Sequence, residues 1–123
     1  MTLDDLGTAK YISITTFRRD GSAVATPVWL VRDRDALMVT TQGSSGKVKR
    51  IRNNAKVLVA PCDARGRLKG DQVSGTARLQ DPQETERTTE LIAKRYGVLG
   101  WLFTRRGAQD RQGITITLAP TAG

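Results

Sequence analysis

Residues 11–17 read YISITTF, where Ile12 and Ile14 alternate with Ser13 and Thr15, and short β-branched runs of this kind recur along the chain with turn residues between them. No other feature constrains the fold as much, because a period of two sends alternate side chains to opposite faces of a strand and cannot build a helical stripe. The first run predicts a half-buried strand, and Asp20-Gly21 favours a tight hairpin turn after it. Residues 23–31, AVATPVWLV, are the return strand. Pro27 has no N–H to give a ladder, so that strand is expected at a sheet edge or with a bulge. A second turn at 33–35 leads into a strand at 36–41. Residues 56–63 are nearly all apolar and predict a central strand, 64–70 a loop, and 72–80 and 112–120 the fifth and sixth strands.

Helical signals are fewer. Residues 2–10 predict a short helix capped by Thr2, with Asp4 and Asp5 in the first turn where the helix dipole favours negative charge. Residues 46–53 predict a second, with Val48, Ile51 and Ala55 as its buried stripe. Asp81 as N-cap and Pro82 at the first helical position open a third, which Gly97 closes; residues 98–107 predict another short helix. Six strands in antiparallel hairpins with inserted helices describe a mainly β fold, a β-barrel plugged by helices. A length of 123 residues suits one domain, 1–123.

The composition narrows the chemistry. The chain has no histidine and one cysteine, which excludes a Cys/His zinc site, an internal disulfide, a Ser-His-Asp triad and imidazole base catalysis. No metal site and no catalytic side chain is expected, so an enzyme here would draw its chemistry from a cofactor. Cys62 is read as buried and inert. Acids stand at the N-terminus where a signal peptide would be basic, and no apolar stretch is long enough to be a membrane helix, which predicts a cytoplasmic protein.

A net charge of +8 and a pI of 10.4 attract polyanions. No Asp or Glu occurs from Ala36 through Cys62, yet Lys47, Lys49, Arg50, Arg52 and Lys56 fall in that window. Gly43, Ser44, Ser45 and Gly46 precede the basic helix, so backbone amides, hydroxyls and the positive end of the dipole converge into a phosphate cradle. The run GSSGK lacks P-loop spacing, and by itself reads equally well as a solvated basic face. Arg19, in the first hairpin turn, is expected to take no part.

The order TPVW, TT, SSGKVKRIRNN, KVLVAPCDARG, GDQVSGTARL closely resembles the split β-barrel flavin and deazaflavin oxidoreductases, the superfamily of pyridoxamine 5'-phosphate oxidase. Within it the chain is most similar to the actinobacterial branch that uses coenzyme F-420, an 8-hydroxy-5-deazaflavin with a phospholactyl-oligoglutamate tail. The resemblance runs over roughly residues 3–118. It implies a six-stranded antiparallel split β-barrel of FMN-binding type, a homodimer with the cofactor groove between subunits, and hydride transfer from reduced F-420 to a small electron-poor acceptor such as a quinone, enone, tetrapyrrole or nitro compound.

The same resemblance implies roles. Thr26, Pro27 and Val28 face the ring with their backbone, and Thr40 and Thr41 contact the ribityl-type chain. Ser44, Ser45, Gly46 and Lys47 make the phosphate turn, Lys49, Arg50 and Arg52 meet the tail carboxylates, and Ala60 and Pro61 lie beside the ring. Trp29 is expected in the core; Trp101 either packs in core or dimer or reaches a partner's substrate pocket. The chain lacks the arginine-rich substrate-phosphate site and C-terminal R-L motif of the true oxidases, and its clustered cations favour F-420 over FMN. The alternatives are an FMN oxidoreductase of the same fold, an F-420 carrier or storage protein, and a nucleic-acid-binding barrel. The last is disfavoured because only 5% of residues are aromatic, whereas single-strand binders stack bases on aromatics.

Overall fold

Asp20-Gly21 turns the chain as its chemistry demands: Gly21 has φ 88°, its N–H donates to Arg18 O, and the flanking strands pair. In the computed structural model, which describes residues 2–105 and 110–119 with the side chains of 98–105 excepted, the elements are α1 (Leu3–Thr8), β1 (Tyr11–Phe17), β2 (Ala23–Val28), β3 (Val31–Asp33), β4 (Ala36–Gln42), α2 (Gly46–Asn53), β5 (Lys56–Cys62), β6 (Val73–Leu79), α3 (Pro82–Arg105) and β7 (Arg111–Leu118). Thr2 and Asp5 form a reciprocal capping box at α1. Asp81 and Glu84 exchange the same pair of bonds at the start of α3. Inside α3, Gly97 takes φ 68°, a conformation open to glycine, and breaks the helix there. Trp101 lies outside the described side chains.

The strands form one antiparallel sheet in the order β2-β1-β5-β6-β7-β4-β3. β2 and β3 are its two ends, yet only Trp29 and Leu30 separate them in the chain. Three peptide steps reach at most about 11 Å, so the sheet must curl until its ends approach. The result is a half-barrel, open along one seam. The sheet has seven strands among the described residues where the sequence predicts six, because the run at 23–31 is two strands. Its break falls at Leu30, whose amide donates to the Tyr96 hydroxyl and whose carbonyl accepts from Arg95. Side chains of α3 satisfy this backbone in place of a ladder.

The interior is filled by alternate residues: Ile12 and Ile14 of β1, Leu37 and Val39 of β4, Val57 and Val59 of β5, and Ile114 and Ile116 of β7, with Leu6 of α1 and Ile51 of α2 closing the ends. Outside the barrel, α3 covers a second cluster of Val31, Met38 and Ile92. β1 departs from its predicted half-burial, since Ser13 and Thr15 are buried as completely as their apolar neighbours. β1 lies between two strands, with Pro27 and Ala60 on either side of Ser13 and Ala25 and Leu58 on either side of Thr15. Pro27 occupies an edge strand, where its missing N–H costs no ladder bond.

Candidate functional site

A cleft of about 560 Å³ opens at the seam. Pro27 and Val28 line it from β2 and Thr40, Thr41 and Gln42 from β4, so it occupies the gap that the sheet leaves between these strands. Tyr11, Ile92 and Ala64 supply further apolar wall. Trp29 lies at the end of β2 and stacks on Tyr96, with ring centroids 4.6 Å apart and planes 9° from parallel. The Tyr96 hydroxyl lies 2.8 Å from Lys10 O and 3.0 Å from Leu30 O, which fixes the stack to the backbone. Arg95 lies over the Tyr96 ring. Trp29 is thus a wall of the cleft as well as a packing residue, and core burial alone does not describe it.

The polar end of the cleft is built by α2. Ser45 is the N-cap residue but its side chain makes no capping bond, standing instead 3.5 Å from the Thr41 hydroxyl. The first amides of α2 therefore remain available to an anion, with the positive end of the helix dipole behind them. Lys47, in the first turn, also faces the cleft and is only 7% exposed. Among the described residues no carboxylate pairs with it. Burial first, and then the charge of Arg50, pull its ammonium from an ordinary 10.5 down to about 8. Arg111, from the start of β7, lines the same cleft, and burial lowers its guanidinium as well. An apolar and aromatic slot ending in cations and free amides suits a planar ring that carries a phosphate, and its volume falls within the range of about 300–1,000 Å³ usual for small-molecule sites.

The structure does not gather all the residues proposed for this role. Pro27, Val28, Thr40, Thr41, Ser45 and Lys47 meet in the cleft. Thr26 does not line it, and its hydroxyl is buried without a hydrogen-bond partner among the described residues. Ser44 donates to Asp110 at 3.0 Å, an acid distant in sequence that claims the hydroxyl. Ala60 is sealed in the sheet at 0% exposure, and Pro61 faces a smaller, separate pocket beside Cys62 and Lys69. Gly46, Lys49 and Arg50 line a separate pocket with Arg18 and Arg19 of the first hairpin, so Arg19 is not remote from the basic helix. Arg52 is exposed and lines neither pocket. Ala55 is exposed too, because α2 ends at Asn53, and the buried stripe is completed by Lys47 beside Val48 and Ile51.

A family model described as pyridoxamine 5'-phosphate oxidase matches residues 4–121. The chain belongs to the pyridoxamine 5'-phosphate oxidase family. Its fold recurs in a pyridoxamine 5'-phosphate oxidase-like protein of Listeria innocua at 20% identity, covering 96% of this chain and 90% of that one with a TM-score of 0.70. An F-420 reductase shares it at 18% identity, covering 95% and 93% of the two chains with a TM-score of 0.66. The heme storage protein HutZ of Vibrio cholerae does so at 14% identity, covering 100% and 93% with a TM-score of 0.69. None of the curated proteins matches the chain. At these identities the likeness is one of fold, and the fold family includes members that bind flavins or F-420. Among the described residues no helix is long and apolar enough to cross a membrane, and no three metal-ligating side chains come together.

Tyr11, Gln42, Ala64, Ile92 and Arg111 escaped the sequence reading of the cleft. Arg111 lies 64 residues from Lys47 along the chain and carries no local signal. Tyr11 could have been flagged, since it is the aromatic residue that opens the alternating run of β1.

Proposed function

We propose that this chain is a cofactor-dependent reductase that binds a deazaflavin of the F-420 type in the seam cleft and works as a cytoplasmic homodimer on a small electron-poor acceptor. The observation that carries the reading is Lys47, a buried cation without a carboxylate partner among the described residues, set beside the uncapped start of α2 at the end of an aromatic slot. Lys47, the α2 amides and Arg111 would hold the phosphate, while Pro27, Val28 and the stacked Trp29 border the ring. When bound, the reduced deazaflavin supplies a hydride. The chain excludes water from the ring's surroundings, orients ring and acceptor, and offsets the cofactor's charge. With no histidine in the sequence, the proton that completes the reduction comes from solvent. β2 is a free sheet edge whose Ala25 and Pro27 are exposed, a surface suited to a second copy.

FMN is the second reading, and one observation favours it. Lys47 and Arg111 alone among the lysines and arginines described line the cleft, which matches a single phosphate. Fluorescence titration with F-420 and with FMN separates the two: low-micromolar binding of F-420, tighter than FMN, supports the deazaflavin. Reduced F-420 labelled with deuterium at C5 should pass the label to the product of at least one acceptor. Equal or tighter FMN binding would reject the choice of cofactor, and F-420 binding without turnover on a broad acceptor panel would leave a carrier.

A further inference from the structure

Three cations of α2, Lys47, Lys49 and Arg50, stand on two flanks that share no site. Lys47 serves the seam cleft, whereas Lys49 and Arg50 face the β1–β2 hairpin, where Phe17, Arg18 and Arg19 complete a second pocket of about 390 Å³. No residue lines both.

Arg50 is held in place here. Its Nε donates to Thr16 Oγ1 at 2.6 Å, on a threonine with 0% exposure. Its terminal nitrogen lies 2.7 Å from where a Cβ on Gly46 would sit, so the guanidinium packs closely over that glycine. The charges around it are also uncompensated. Ion pairs among the described residues join Arg32 to Asp4, Arg67 to Asp63, Arg78 to Glu84 and Arg87 to Asp33, and none reaches this pocket. Asp20, the acid nearest in sequence, accepts from the Ser22 amide and hydroxyl, and Arg18 acts on it only at longer range. Burial, and then the charge of Arg18, push the Arg50 guanidinium below its ordinary range, as expected for crowded like charges. An entering oxyanion relieves that repulsion and gains charge-assisted hydrogen bonds, which guanidinium groups make in bidentate pairs to carboxylate or phosphate.

We propose that Arg18, Arg19, Lys49 and Arg50 form a second anion site, separate from the seam cleft, which takes a multiply charged carboxylate or phosphate group. It does not rest on the deazaflavin reading. The occupant is either the anionic tail of a molecule whose ring sits in the cleft or a separate oligoanion.

The test is calorimetric titration of the full chain with triglutamate and with tripolyphosphate at about 50 mM salt, where screening is modest. Arg18→Gln with Arg19→Gln should weaken both probes about tenfold, a loss of about 1.4 kcal/mol. Arg52→Gln with Lys56→Gln removes the same charge outside the pocket and should weaken them less than about threefold. Equal losses in the two pairs would overturn the proposal, because only net charge would then be read. Amide NMR shifts at Phe17 and Asn53 on adding triglutamate provide a readout independent of the variants, and their absence would also overturn it. Displacement of triglutamate by F-420 but not by FMN identifies the tail as the source, and displacement by neither identifies a separate molecule. Displacement by both means a single site and refutes the separation. If no cofactor binds the cleft while triglutamate still binds, the proposed function fails and the second site stands.

Discussion

Replacing Lys47 by methionine should stabilise the free protein. The two side chains are similar in length, and methionine fills an apolar site without a charge. Lys47 is 7% exposed, and its proton leaves at about 8 instead of at 10.5. At about 1.4 kcal/mol per pH unit, holding that charge costs the folded state up to about 3 kcal/mol at neutral pH. Below pH 8 both folded and unfolded chains carry the proton, and the cost is present in full. Between 8 and 10.5 the unfolded chain alone keeps it, so stability rises with pH; above 10.5 neither does, and the cost is gone. Urea denaturation across pH 7 to 10.5 reads this directly. With an m-value of about 2 kcal/mol/M, Lys47→Met should raise the midpoint at pH 7 by up to about 1.5 M, and the gap should close as the pH rises. A midpoint that falls at pH 7, or a gap independent of pH, would refute the claim that Lys47 is an uncompensated buried cation.

Three further outcomes follow from the same geometry. Binding of F-420 or FMN should weaken as the pH rises through about 8, since the phosphate needs the protonated Lys47, and the dependence should vanish in Lys47→Met; fluorescence titration at several pH values checks it. Tyr96→Phe leaves the Leu30 amide without its acceptor and should cost about 1–3 kcal/mol of stability in thermal or urea melts, while weakening ligand binding by loosening Trp29. Gly113→Ala would place a Cβ 1.8 Å from Gln80 Oε1, an atom bonded to the buried Thr88, and should cost about 1–3 kcal/mol by the same melts.

The local devices of the fold were legible because each is written in adjacent residues. Asp20-Gly21, the Thr2 and Asp81 caps, the edge position of Pro27 and the break at Gly97 all follow from backbone chemistry within a few positions. Contacts between distant segments were not. The split of 23–31 depends on Tyr96 and Arg95 reaching Leu30 from α3, and nothing near Leu30 announces it. The apolar spacing of α2 marks Val48 and Ile51 but passes over Lys47, since lysine is rarely buried, whereas the folded chain buries it in the first turn of α2 at the cleft. The cluster of basic residues reads as one patch along the sequence. In space the hairpin bearing Arg18 and Arg19 draws Lys49 and Arg50 to one side and leaves Lys47 on the other.

Between the two ends of the sheet, Tyr96 and Arg95 of α3 hold the Leu30 backbone where a ladder between β2 and β3 is absent. Undocking α3 would break these side-chain bonds and uncover the cluster of Val31, Met38 and Ile92, while the antiparallel ladders stay intact. Amide exchange should therefore be graded across the molecule. The Leu30 proton should exchange at a rate set by undocking of α3, ahead of the β1–β5 amides that wait for global unfolding. A ligand bridging β2 and β4 across the seam should slow the Leu30 proton most.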